Sequence, residues 1–182
     1  MAILKSIGRF ILATWTAAAL ASPALAAERS FAIPTPAIVV GGIGAGSTAV
    51  ELPDGTITTL FFNFVLPRDY AQNQPVKIVL YLSSPAAPCI VRLVPEQLLR
   101  FRLGAPAVKN PSGLTVRSPA VNLDANIRAQ ILTLAPGTGL SGQRVGDAFT
   151  VSVQRPAADP SDTCAGSVFV EALDVRYPIP TP

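Results

Sequence analysis

Apolar side chains recur at every second position over long stretches of this chain. Leu60, Phe62, Phe64 and Leu66 alternate with Thr59, Phe61, Asn63 and Val65, and Val76, Ile78, Leu80 and Leu82 repeat the period. A period of two places one set of side chains on each face of a strand, so both runs predict half-buried β-strands. Phe149, Val151 and Val153 alternate in the same way with Ala148, Thr150, Ser152 and Gln154. The run Val168 to Tyr177 is apolar on both faces, as expected of a strand in the middle of a sandwich. Between these last two lies a connection with two Asp, two Pro and a Gly, all turn residues. The pair therefore predicts a hairpin.

A second hairpin is predicted upstream, where Ser47 to Leu52 and Thr56 to Leu66 flank Pro53-Asp54-Gly55, whose Asp-Gly dipeptide suits a tight turn. Further strands are expected at Cys89, Val91 and Leu93, and after the Pro95-Glu96 interruption at Leu99, Phe101 and Leu103, with Arg100 and Arg102 pointing the other way. Gly104 to Pro119 holds at most one short strand, near Leu114 to Arg117. Val121 to Leu134 fits a strand through Ile127, Ala129 and Ile131, or a helix through Leu123, Ile127, Ile131 and Leu134. Strand is favoured, because Pro136 to Gly142 marks a turn before the final pair. The sum is an all-β protein of eight or nine strands, an antiparallel β-sandwich of jelly-roll or immunoglobulin-like type.

The ends of the chain read differently. Residues 1–26 have a positive start at Lys5 and Arg9, an apolar core from Phe10 to Leu20 and a small-residue site at Ala24-Leu25-Ala26, the three parts of a secretory signal peptide. The uncharged run is broken by Thr14, Thr16, Ser22 and Pro23, which argues for cleavage over a membrane anchor, and nothing later reaches spanning length, so no membrane span is expected after signal removal. Residues 27–46 carry Pro34, Pro36 and four glycines and are expected to form a flexible or edge-lying arm. The sandwich then covers 47–177, and 178–182 form a proline-containing tail. An exported chain is secreted or periplasmic.

Two cysteines in such a chain predict one disulfide, Cys89 with Cys164. Closing a loop of this size stabilises a fold by about 4 kcal/mol in the chain-entropy treatment. Loss of Lys5 and Arg9 with the signal changes 14 basic against 11 acidic residues to 12 against 11. That near-neutral balance gives no electrostatic support for nucleic-acid binding. The sequence contains no histidine, which excludes His-based triads and His-ligated metals.

The remaining candidate chemistry is sparse. Gly41, Gly42, Gly44 and Gly46 lack the lysine of a phosphate-binding loop and the spacing of a dinucleotide fingerprint. Asp159 and Asp162 lie three apart in a turn and are candidate calcium ligands, although turn capping by their side-chain oxygens would give the same pattern. Arg92, Arg100 and Arg102, with Arg117 and Arg128, would make a basic ligand-binding stripe for an acidic glycan if neighbouring strands presented them together. No serine-nucleophile pattern occurs, so an enzyme is not expected and no cofactor other than calcium is implied.

Two motifs carry a resemblance. Phe62 to Tyr70 reads Phe-x-Phe-x-x-Pro-x-Asp-Tyr, and Arg155 to Cys164 reads Arg-x-x-x-Asp-x-x-Asp-Thr-Cys before a strand ending Val175-Arg176-Tyr177. In these the chain is similar to a group of uncharacterised exported bacterial β-sandwich proteins, a likeness that implies no activity. It also resembles chaperone-assembled pilus subunits in its signal, single disulfide, N-terminal arm and late tyrosine. It departs from them in the 75-residue separation of its cysteines and in its tail. The expectation is a non-catalytic structural or surface-interaction protein that self-associates through an exposed sheet edge, for instance with the arm as donor strand. The alternative is a carbohydrate-binding module for a surface glycan, using the arginine-bearing face, with or without calcium.

Overall fold

The computed structural model describes residues 27–33, 39–40, 49–110, 115–135, 142–156 and 159–180. The predicted signal segment and the glycine cluster lie outside them. All regular structure among the described residues is β. The strands are β1 (Glu28–Ala32), β2 (Val39–Val40), β3 (Val50–Leu52), β4 (Thr58–Val65), β5 (Val76–Ser83), β6 (Cys89–Val91) and β7 (Val94–Phe101). The second half of the chain supplies β8 (Val108–Lys109), β9 (Thr115–Arg117), β10 (Val121–Leu123), β11 (Arg128–Ala135), β12 (Ala148–Arg155) and β13 (Val168–Pro178).

Two antiparallel sheets face each other. Sheet I runs β1-β13-β5-β11-β9, with β3 also on β13; sheet II runs β2-β4-β12-β7-β8; and β6 and β10 form a short separate ladder. The pairs β7/β8, β6/β10, β5/β11, β4/β12 and β3/β13 are nested one inside the next. The chain is thus one long hairpin folded over so that successive main strands fall in opposite sheets, and this is the jelly-roll alternative of the two predicted architectures. Between the sheets lie Leu60, Phe62 and Phe64 of β4, Ile78, Leu80 and Leu82 of β5, Phe149 and Val151 of β12 and Leu173 and Val175 of β13, all buried. The predicted period of two in β4, β5 and β12 is the pattern of burial observed.

Neither predicted hairpin forms. Strands β3 and β4, on either side of Asp54-Gly55, pair with β13 and β12 respectively, and β12 and β13 likewise belong to different sheets. Each turn carries the chain across the sandwich. Gly55, at φ +68°, supplies the left-handed backbone for the first crossing. The adjacent strands bury their inner faces against each other rather than sharing a ladder.

Strand β13 is not two-sided. Its register against β5 shifts between Val170 and Ala172, and the buried positions change phase there, from Val168 and Val170 to Leu173, Val175 and Tyr177. A bulge of this kind produces an apparently apolar strand on both faces. A second shift, between Ser152 and Val153 opposite β7, leaves Leu98 and Arg100 facing inward, while Phe101 is 42% and Leu103 102% exposed. The predicted orientation of β7 is therefore reversed. In β11, Gln130, Leu132 and Leu134 face inward and Ile131 outward, and Ile127, just before the strand, is exposed. The buried Gln130 amide fixes this register, accepting from Leu93 N and donating to Leu93 O, Ser118 Oγ and Pro119 O.

The described parts of the arm lie on edges of the chain's own sheets, β1 on residues 174–178 of β13 and β2 on residues 59–60 of β4. Phe31 packs on Tyr177 at 6.0 Å between ring centroids, and Arg29 pairs with Asp69. Folded structure consequently begins before residue 47. It also runs past 177, since Pro178 is buried in β13 and Ile179 N donates to Ala27 O.

Candidate functional site

The disulfide is present: Cys89 on β6 and Cys164 in the β12–β13 connection are bonded, with Cα atoms 4.9 Å apart. Beside it Arg155, at the end of β12, is 1% exposed and uses every donor of its guanidinium. Nε donates to Asp162 Oδ2 at 2.7 Å, Nη1 to Leu52 O and Gly166 O, and Nη2 to Asp162 Oδ1 and Cys164 O. Asp162 accepts in addition from Cys164 N. Its oxygens thus serve a charge-assisted, bidentate pair with an arginine.

Asp159 has a different partner set. Its Oδ1 accepts from the backbone and hydroxyl of Ser161, and Oδ2 faces Arg92 Nη2 at 3.3 Å. The Ser161 hydroxyl, the Ser161 amide and Arg92 hold its carboxyl below the ordinary carboxylate range. Asp159 and Asp162 are each engaged by a different arginine, and no cluster of three or more candidate metal ligands occurs among the described residues. The turn-capping account fits Asp159, and the two predicted calcium ligands each have a different arginine as partner.

Nor do the arginines form a stripe. Arg102 donates to both oxygens of Asp147, at 2.6 and 2.7 Å, and to Gly142 O, and the Asp147 contact raises its pKa. Asp147 is fully buried and also accepts from Arg144 N. Arg100 is 7% exposed, and burial and the neighbouring Arg102 lower its pKa. Arg92 follows β6, Arg117 is on β9, and Arg128, on β11, is paired with Asp124. The predicted ligand-binding residues Arg92, Arg100 and Arg102 are thus parts of separate pairs or of the interior, with no common solvent-facing surface.

The outer faces of the two sheets differ sharply in charge. On sheet I, Lys77 pairs with Glu28, Tyr81 donates to Asp174 and accepts from Arg176, and Ser83 donates to Glu171. On sheet II the ladder registers give three rows across β4, β12 and β7: Val65, Ala148 and Phe101; Asn63, Thr150 and Leu99; Phe61, Ser152 and Gln97. Directly opposed residues project from the same face. None of these nine carries a charge. The first two rows enclose an open hollow of about 380 Å³ lined by Asn63, Val65, Phe101, Ala148 and Thr150, with the stacked core pair Phe64 and Phe149 also contributing. Thr150 Oγ1 donates to Asn63 Oδ1 at 2.5 Å, a bond that uses neither the amide hydrogens of the exposed Asn63 nor the lone pairs of the half-buried Thr150. Glu96, which accepts from Thr59, and Lys109, opposite Leu99, stand at the rim. The sequence pattern concealed this face because Phe101 was assigned to the core.

No protein-family model and no curated protein matches the chain. Among solved structures it is similar to a family two carbohydrate esterase from Cellvibrio japonicus, at 12% identity and a TM-score of 0.41, over 86% of this chain and 37% of that one. The chain thus spans little more than a third of that protein. A likeness at that level carries no argument about activity. No helix among the described residues is long and apolar enough to cross a membrane.

Proposed function

We propose that this protein is an exported, non-catalytic β-sandwich that acts as a surface-interaction module through the outer face of sheet II. The observation that supports this reading is the contrast between the two sheet faces. One is covered by charged groups already paired within the chain, and the other is uncharged across the three rows of β4, β12 and β7, with Lys109 and Glu96 only at its margins and Val65 55% and Phe101 42% exposed beside amide and hydroxyl groups. An apolar patch rimmed by polar groups is the usual form of a recognition surface. Export to the periplasm or cell exterior is part of the proposal, supported by the character of residues 1–26 and by the disulfide.

The test is a double variant, V65K/F101K, which puts two charges on the face without touching the core. Retention of labelled protein on envelope fractions of a bacterial host, and sedimentation of the protein alone, are compared with the unsubstituted chain. The proposal expects retention or self-association in the parent and its loss in the variant, with an unchanged circular dichroism spectrum. Identical behaviour of both proteins in both assays would remove the face from consideration.

A further inference from the structure

Resting on that reading, we infer that the occupant of the sheet II face is a neutral glycan chain, held over Phe101 and along the Asn63–Thr150 row. Three features of the face favour this ligand class over others. The first is charge: the hollow is lined by no ionisable side chain, so a sulfated, uronic or phosphorylated ligand finds no counter-ion within it. The second is the kind of hydrogen-bonding group. The offered donors and acceptors belong to side chains, Asn63, Thr150 and Gln97, while the backbones of β4, β12 and β7 are paired to one another. A peptide added as a strand needs free backbone groups at an edge, whereas a sugar hydroxyl is served by amide and hydroxyl side chains.

The third is area. Three strands at about 4.8 Å and three rows at about 6.8 Å give a footprint of roughly 300 Å², well under the ~800 Å² per partner of a standard protein interface. A second copy of the chain docked here would lack the contact it needs. A glycan does not, because a pyranose presents a flat C–H surface to one ring and hydroxyls around its edge. Phe101 and the half-buried Phe61 stand at diagonal corners, roughly 16 Å apart on these spacings, with the Asn63–Thr150 pair between them. The span suits several sugar units in line. The hollow itself is at the small end of ligand sites, which run from about 300 Å³, so one unit would seat in it and its neighbours lie over the Asn63–Thr150–Leu99 row and the exposed flanks of Phe61 and Gln97, Ser152 between these two being buried.

Affinity electrophoresis in native gels containing a soluble neutral β-glucan, xylan, mannan or galactan, against gels containing polygalacturonate or a sulfated glycan, tests the inference. The expected result is retardation by at least one neutral polymer. F101A should weaken it tenfold or more, the consequence of losing a ring's apolar contact, and N63A by a few-fold. I57S removes another exposed apolar side chain, located in the turn before β4 and outside the three rows, and should leave mobility unchanged. No retardation by any neutral polymer, or equal retardation of F101A and the parent, overturns the glycan assignment. Were that to coincide with self-association abolished by V65K/F101K, the interaction face would stand and its occupant would be a second copy. With neither binding nor association, both readings fall together.

Discussion

Replacing Arg155 should cost more stability than any other single polar substitution in this chain. The side chain is 1% exposed and donates five hydrogen bonds, two to Asp162 and three to the carbonyls of Leu52, Cys164 and Gly166. These acceptors lie on β3 and the β12–β13 connection, so one guanidinium ties three segments together at the disulfide end of the sandwich. Arg155→Ala leaves Asp162, 7% exposed at its side chain, without its counter-charge, and breaking a buried pair on one side costs about 3–5 kcal/mol. The orphaned carbonyls add to this, each by about 1–3 kcal/mol if water does not reach it. Because the terms share one site they do not sum, and about 4–6 kcal/mol is the expected total. A domain of this size has about 5–15 kcal/mol in all.

Arg155→Lys separates charge from geometry. Lysine restores the charge but offers three donors from one point instead of a planar fork of five, so a loss of about 2–3 kcal/mol is expected. The assay is urea unfolding of the oxidised protein followed by tyrosine fluorescence and far-ultraviolet circular dichroism, with midpoint and slope fitted separately. Substituting both partners, R155M/D162L, removes the stranded charge and should recover part of the alanine loss. If R155A cost less than 1 kcal/mol, or R155K matched the parent, the fork of five bonds would not be what holds this end closed.

Three further outcomes are expected. Reduction of Cys89–Cys164 opens a loop whose ends are 75 residues apart and should lower unfolding free energy by about 4 kcal/mol; an unchanged urea midpoint in reducing agent would contradict this. Burial pushes the Tyr70 phenol up to about 12, so the neutral form is favoured in the folded state. The associated stability is intact below pH 10 and lost as pH rises from 10 through about 12, a span worth about 2–3 kcal/mol. Urea midpoints measured across that range should fall more steeply in the parent than in Y70F, and parallel slopes would refute the assignment. Deleting residues 27–33 removes β1, its Phe31–Tyr177 contact and two surface ion pairs, for an expected loss of about 2 kcal/mol. It also opens the edge of β13, which should show as concentration-dependent sedimentation; a monomer of unchanged stability would mean that β1 is not a working part of the sheet.

Fold class, the long strands and the disulfide were legible in the sequence, because period two and a single pair of cysteines constrain them directly. The strand count was not, since thirteen strands stand among the described residues where eight or nine are expected, and short ones such as β2, β8 and β10 span too few residues to show a period. Sheet membership was not. Asp54-Gly55 and the Asp- and Pro-rich run 156–167 signal that the chain turns, and a turn serves equally for a hairpin and for a crossing between facing sheets. What decides is the nested pairing of β3 with β13 and β4 with β12, which is set by contacts between residues 116 to 120 and 83 to 97 positions apart in the chain. The two bulges are a second source of error. A one-residue slip inverts the faces of everything beyond it, so Leu173 and Val175 changed sides in β13, and Phe101 and Arg100 exchanged their expected places in β7.

The charged candidates were misplaced for one reason that β12 makes plain. Its inward phase, Phe149, Val151 and Val153, extends one step each way to Asp147 and Arg155, and both are buried. A charged residue in phase with a strand's core positions cannot be a solvent-facing ligand group unless the sheet ends there, and when buried it needs a partner. Asp147 meets Arg102 at one end of the sandwich and Arg155 meets Asp162 at the other. The pairing partners come from connections that fold back over the ends of the sandwich core, so each ion pair fastens a loop as well as satisfying a charge. Arginines and aspartates that looked like a ligand set in the sequence are in this way committed to closing the fold. Under the proposed reading, a phenylalanine and an asparagine on the face of sheet II have the role that the arginines were expected to fill.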